Sequence, residues 1–159
     1  MIIQTLRFGE LDVQPENMIS FEQGLPGFEQ LRLFSILTPD PELPFSFMQS
    51  MEDGNVAFVI VNPFLFYPHY EFELPEEVQD SLKLERDQDV AVWAIVSLKE
   101  EMAASTLNLL APVIINMKEG LGKQCILHGS GYTTKHPLAA PVEAEKGKEV
   151  GDTHARIDT

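Results

Sequence analysis

The chain has 159 residues, with 25 acidic side chains against 11 basic ones and a formal charge of −14. That length fits one domain with enough chain to bury a real core, and the negative field repels nucleic acid and anionic lipid while drawing basic partners. No apolar run approaches the roughly 18 residues of a membrane span. The opening MIIQTLRFGE lacks a basic stretch followed by an apolar one, so no secretory signal is read there, and the lone Cys125 leaves no internal disulfide framework. A cytoplasmic protein, monomeric when free, is expected. The charge is uneven: residues 1–100 carry 18 acids and 5 bases, residues 101–159 carry 7 and 6. A charge that serves only solubility is the competing explanation.

Ile2 to Phe8 reads as a strand by alternation, broken at Gly9-Glu10 and resumed over Leu11 to Val13. Pro15-Glu16-Asn17 is a turn before a short strand, Met18 to Phe21. Gly24-Leu25-Pro26-Gly27-Phe28-Glu29 sets two glycines around a proline, which predicts a rigid corner with Phe28 packed inward. A phosphate cradle is disfavoured there, because no Lys lies near and Glu22 and Glu29 repel anions. Arg32 to Leu37 is a strand, and TPDPELP after it must be loop. Phe45 to Ser50 and Val56 to Val61 form a hairpin around Asp53-Gly54. Asn62 to Tyr70 packs four aromatics around two prolines. There Phe64 and Phe66 are expected in the core, while Tyr67 and Tyr70 fit either the core or a partner-binding patch.

Leu74 to Leu84 is the helix, with Pro75 at its start, Glu76 and Glu77 at the positive end, and Val78 and Leu82 on one face. Val90 to Leu98 is a buried strand with Trp93 as a core anchor. Val113 to Met117 and Cys125 to His128 are expected to pair across Lys118 to Gln124, with Cys125 a small core residue and a further strand near Tyr132 to Thr134. Beyond Pro141 large apolar residues become sparse, so a domain over 1–140 and a polar, mobile tail over 141–159 are expected. Short strands, frequent turns and no βαβ rhythm imply an all-β, mainly antiparallel barrel or sandwich with one short helix.

The stretch Thr106 to Asn116, TLNLLAPVIIN, organises the rest. Pro112 forces a break or an edge, Val113 to Ile115 has strand composition, and Asn108 and Asn116 bracket the run with amides able to bond a bending backbone. Thr106, Asn108, Leu109, Ala111, Pro112 and Asn116 resemble the central signature of the flagellar assembly factor FliW family. Phe21 to Glu29, Gln49-Ser50, Ala57 to Pro63 with Tyr70, and Gln124 through Tyr132 to Leu138 agree with it in order. Gly24, Pro26, Gly27, Phe28, Glu29, Asn108, Pro112 and Asn116 are the signature positions expected to act structurally.

The resemblance implies a small β-barrel-like fold and two cytoplasmic protein partners, flagellin and the homodimeric RNA-binding translational repressor CsrA. The repressor would be released when flagellin occupies the factor, a mutually exclusive exchange. An RNA-binding repressor needs a positive surface, so acids docked beside it would hold RNA off. Glu71, Glu73, Glu76 and Glu77 are the densest candidates, with Glu143, Glu145 and Glu149 as alternates. For flagellin, an apolar surface around Phe64, Phe66, Tyr67 and Tyr70 is the candidate.

His69, His128, His136 and His154 show no metal-ligand spacing. No nucleophile elbow, Walker loop or dinucleotide fingerprint is present, nor the basic–aromatic interleaving of nucleic-acid readers. No enzyme activity, cofactor or direct nucleic-acid contact is expected. A small-molecule-binding barrel, possibly an enzyme, is the alternative, and a structural flagellar component a weaker third.

Overall fold

A computed structural model describes residues 1–85 and 89–138. Its strands are β1 (Ile2–Thr5), β2 (Gly9–Asp12), β3 (Met18–Ser20), β4 (Leu33–Leu37), β5 (Phe45–Ser50) and β6 (Ala57–Val61). After the helix α1 (Glu76–Ser81) come β7 (Val90–Ser97), β8 (Thr106–Leu107), β9 (Val113–Asn116), β10 (Leu121–Gln124) and β11 (His136–Pro137). Successive pairing from β3 through β4, β5, β6, β7, β9 and β10 returns to β3, closing a seven-stranded barrel. All these pairs are antiparallel except the closing one, where β10 meets β3 in parallel at the single register pair Leu121–Ser20. Closure leaves none of these seven strands as an open edge that invites aggregation.

Alternation along the strands sorts side chains into two cores. Six of the seven barrel strands supply side chains to the first, with Ile19, Phe34, Met48, Ile60, Val113 and Ile115 buried together and Trp93 packed against them half-buried. Gly122 of β10 faces the Phe21 ring so closely that a Cβ would overlap it. The second core lies outside the barrel, where Val90, Val92, Ala94 and Val96 of β7 and Ile114 of β9 are covered by Phe66, Tyr70, Leu74, Val78 and Leu82. The β7 strand therefore buries both of its faces, as its unbroken apolar run requires.

The signature stretch lies along β7 as one interrupted strand. β8 pairs with Val96 and Ser97, β9 with Val90 to Trp93, and residues 108–112 bulge out between them. The expected strand, proline break and second strand are all present. β11 then adds to β8 as a short edge strand.

Several sequence expectations need correction. The first strand stops at Thr5, whose hydroxyl accepts from Phe8 N–H (2.9 Å) and donates to Gly9 O (2.8 Å), closing a hairpin instead. β9 pairs with Leu121–Gln124, not with Cys125 to His128, and Asn116 sets the earlier turn by accepting from Lys118 and Glu119 N–H (3.0 and 3.1 Å). Cys125 to Leu127 is an irregular arm, bonded through Cys125 N–H to Pro112 O and Leu127 N–H to Leu110 O. Among the described residues the last strand is His136–Pro137, not Tyr132 to Thr134. The Asp53-Gly54 hairpin is present, but Gly54 does not supply a left-handed turn residue. It allows close approach instead: a Cβ there would overlap the Gln4 carbonyl oxygen, and its own carbonyl accepts from Leu6 N–H.

The helix expected over Leu74 to Leu84 is shorter, Glu76–Ser81, with Pro75 as its N-cap. Lys83 stops it by adopting φ +55°, so that its N–H reaches Asp80 O and Leu84 N–H reaches Gln79 O. That pattern is a Schellman ending, which ordinarily uses glycine. Lys83→Gly should therefore stabilise the fold by about 0.5–1 kcal/mol, measurable as a shift in the urea midpoint.

Candidate partner-binding surface

Residues 62–84 cross the outside of the barrel as one covering segment. Asn62 starts it by accepting from Phe64 N–H (3.0 Å), which fixes a short helical turn at Pro63–Leu65. Phe66 and Tyr70 point into the outer core, at 6 % and 4 % exposure. Phe64 and Tyr67 are half-buried and Leu65 is exposed. Of the four aromatics considered as partner contacts, only Phe64 and Tyr67 thus offer ring surface to the outside. The even choice for Tyr70 resolves to core, because its hydroxyl finds a buried acceptor.

That acceptor is the Leu109 carbonyl oxygen in the signature bulge, 2.7 Å away. Burial, with smaller contributions from Tyr132 and Cys125, pushes the Tyr70 phenol far above its ordinary range, so it stays a donor. The other two tyrosines act in the same way. Tyr67 donates to Pro137 O (2.6 Å), and Tyr132 donates to Glu71 O (3.3 Å) while accepting from Glu71 N–H (3.2 Å). The Tyr70 and Tyr132 rings meet edge to face with centroids 4.7 Å apart. The three tyrosines of the chain tie the covering segment to the signature bulge through Tyr70, to β11 through Tyr67 and to the loop before β11 through Tyr132. Sequence reasoning missed Tyr132 and Pro137 as parts of this surface. Contacts across 61 and 70 residues leave no local signal.

Tyr70→Phe keeps the ring packing and removes one buried hydrogen bond, leaving the Leu109 carbonyl short of a donor. A loss of about 1–2 kcal/mol is expected, read by urea denaturation. A loss no greater than a few tenths would mean that the bond contributes little.

Glu71, Glu73, Glu76 and Glu77 are all exposed along the same segment. The acidic candidates and the half-buried aromatics thus lie on one covering segment. Glu143, Glu145 and Glu149, and the tail expected over 141–159, lie outside the described residues.

The signature residues have structural work to do at their positions. Asn108 accepts from Ala111 N–H (2.9 Å), turning the bulge ahead of Pro112. Asn116 donates through Nδ2 to Leu82 O (2.7 Å) and Lys83 O (3.2 Å), holding the end of α1 against β9. In the Gly-rich corner Gly24 has φ +66° and Gly27 φ +85°. Leu25 O accepts from Phe28 N–H at 2.7 Å across Pro26-Gly27, and Phe28 packs edge to face on Phe58 at 5.2 Å. Hydrogen bonds to the Glu29 carboxylate, first from its own backbone N–H and then from Gly27 N–H (3.1 Å), hold its carboxyl below the usual range.

Cys125 is buried, and that burial raises its thiol, with Lys123 acting weakly the other way. It is a protonated packing residue. Among the described residues, no three His, Cys, Asp or Glu side chains are grouped to hold a metal, and no helix is long and apolar enough to cross a membrane.

The FliW protein family model matches residues 2–138. The chain belongs to the FliW family. The flagellar assembly factor FliW of Bacillus subtilis (strain 168) is 44% identical over 138 residues, covering 87% of this chain and 96% of that protein. The FliW of Alkaliphilus metalliredigens (strain QYMF) is 42% identical over 144 residues, covering 90% and 89%. A crystal structure of the flagellar assembly factor FliW superposes with a TM-score of 0.82 at 35% identity, covering 90% of this chain and 99% of that one. The chain is thus a flagellar assembly factor of the FliW family, and its barrel is the family fold. The names of these relatives describe an assembly role.

Proposed function

We propose that this protein binds unassembled flagellin in the cytoplasm and, when free of flagellin, binds and antagonises the translational repressor CsrA. Flagellin synthesis is thereby coupled to flagellar assembly. Family membership supports an assembly role. The observation that carries the CsrA half is the run of exposed acids, Glu71, Glu73, Glu76 and Glu77, on a segment fixed to the barrel by three tyrosines and Asn116. Acids held on a rigid surface keep a constant geometry toward a basic RNA-binding partner. Docked beside the RNA site, they raise the cost of phosphate approach without filling it.

Flagellin is assigned to the half-buried rings of Phe64 and Tyr67 with exposed Leu65, an apolar strip suited to an unfolded amphipathic segment. The alternative of a ligand-holding barrel is less favoured, because Phe21, Phe34, Met48, Ile60, Val113 and Ile115 fill the interior at 0 % exposure.

The electrostatic half makes a direct prediction. CsrA affinity should fall steeply between 0.1 M and 1 M salt, as the Debye length shrinks from about 10 Å to about 3 Å. Combined Glu71→Lys, Glu76→Lys and Glu77→Lys should weaken CsrA binding at least tenfold in calorimetry, since reversing several charges at one interface costs more than about 1.4 kcal/mol. Flagellin binding should change far less. A flat salt profile with unchanged affinity in the triple variant would remove the acids from the CsrA interface.

A further inference from the structure

A second surface shares no residue with the covering segment. A groove of about 280 Å³ runs between the end of β2, the face of β3 and β4, and the turn joining β9 to β10. Val13, Met18, Ile36, Leu37 and Met117 supply its apolar wall. Met117 is 59 % exposed, a large flexible thioether left in water at the groove mouth. Such a side chain adapts to varied apolar partners. The groove is half open and slightly smaller than the roughly 300–1,000 Å³ of enclosed small-molecule sites. One or two aliphatic side chains would fill it.

Its charge has one sign. Asp12 and Glu16 line it and no Lys, Arg or His does. Asp12 already faces the N-terminal ammonium at 3.6 Å, and Lys118 and Glu119 beyond Met117 offset each other, so Glu16 on the short helical turn Pro15–Asn17 is the main rim charge. We propose that this groove is a docking site for an extended segment of a partner protein that presents a large aliphatic side chain next to a Lys or Arg. The aliphatic group seats against Met18, Leu37 and Met117, and the cation faces Glu16. This site is separate from the surfaces assigned above to flagellin and CsrA, and it stands whether or not those assignments do.

The six methionines provide the test. In protein labelled with ¹³C at the methionine methyls, Met18 and Met117 report the groove. Met102, 51 % exposed, reports general surface binding, and the fully buried Met48 and Met51 report the barrel. The probe is acetyl-Lys-Leu-Lys-Leu-Lys-amide, with the Glu-for-Lys peptide as control. Saturable shifts of Met18 and Met117 alone, absent with the acidic peptide and weakened about two- to fivefold by Glu16→Lys, are expected. Shifts of Met102 in step with Met18 and Met117 would show diffuse attraction to an acidic surface and overturn the proposal. So would no shift at all, equal binding of the acidic peptide, or full affinity in Glu16→Lys.

Discussion

Replacing Asn116 with Ala should cost about 3–4 kcal/mol of folding stability. The side chain is 1 % exposed and makes four hydrogen bonds. Two go from Nδ2 to the Leu82 and Lys83 carbonyls, and two come to Oδ1 from Lys118 and Glu119 N–H. Alanine leaves backbone groups at the end of α1 and in the β9–β10 turn unpaired near the core, and each such group costs about 1–3 kcal/mol. The helix lacks a side-chain N-cap and has only six residues, so it depends on this anchor and on the burial of Val78 and Leu82. Urea denaturation would read the loss. Because Asn116 anchors the end of α1, the variant should also lose amide-exchange protection first in residues 76–84. A loss under 1 kcal/mol would mean that water replaces the asparagine without penalty.

Gly24→Ala should be nearly as damaging, about 2–4 kcal/mol. Gly24 sits at φ +66°, where a Cβ is strained, and that Cβ would lie 2.6 Å from the Glu29 backbone. Neither term can relax cheaply, because Gly24 N–H is bonded to Phe21 O and Phe21 is fully buried. Gly27→Ala is the internal control. Its φ is +85°, but a Cβ there meets nothing within 4 Å, so only the conformational cost of about 1 kcal/mol applies. Equal losses in the two variants, measured in the same urea series, would contradict the close-packing account of Gly24.

The parts legible in the sequence were those where local chemistry and burial agree. Val90 to Leu98 reads as a buried strand, and the strand that forms, Val90–Ser97, has both its faces covered. Asn108 and Asn116 read as backbone-bonding amides because proline breaks the strand between them. The Gly24–Glu29 corner reads from its two glycines and one proline.

The misreadings arose where tertiary contact overrides pattern. Leu121-Gly122-Lys123-Gln124 looks like a turn, yet it pairs with β9 as a strand, and its glycine is where the Phe21 ring leaves no room for a Cβ. Cys125-Ile126-Leu127 looks like a strand, yet the Pro112 and Leu110 carbonyls hold it as an irregular arm. Tyr70 was undecidable because nothing near it in sequence indicates that its hydroxyl meets a carbonyl 39 residues away. Glu71, Glu73, Glu76 and Glu77 are legible as a dense acidic run, but the tyrosine ties that fix their segment are not.

The exchange of partners is tested most directly by fluorescence anisotropy of a labelled flagellin leader RNA bound to CsrA, titrated with this protein and then with flagellin. The account predicts a fall in anisotropy as RNA is released, and recovery when flagellin withdraws the protein from CsrA. An anisotropy unchanged at micromolar protein, or a fall that saturating flagellin leaves in place, would contradict it.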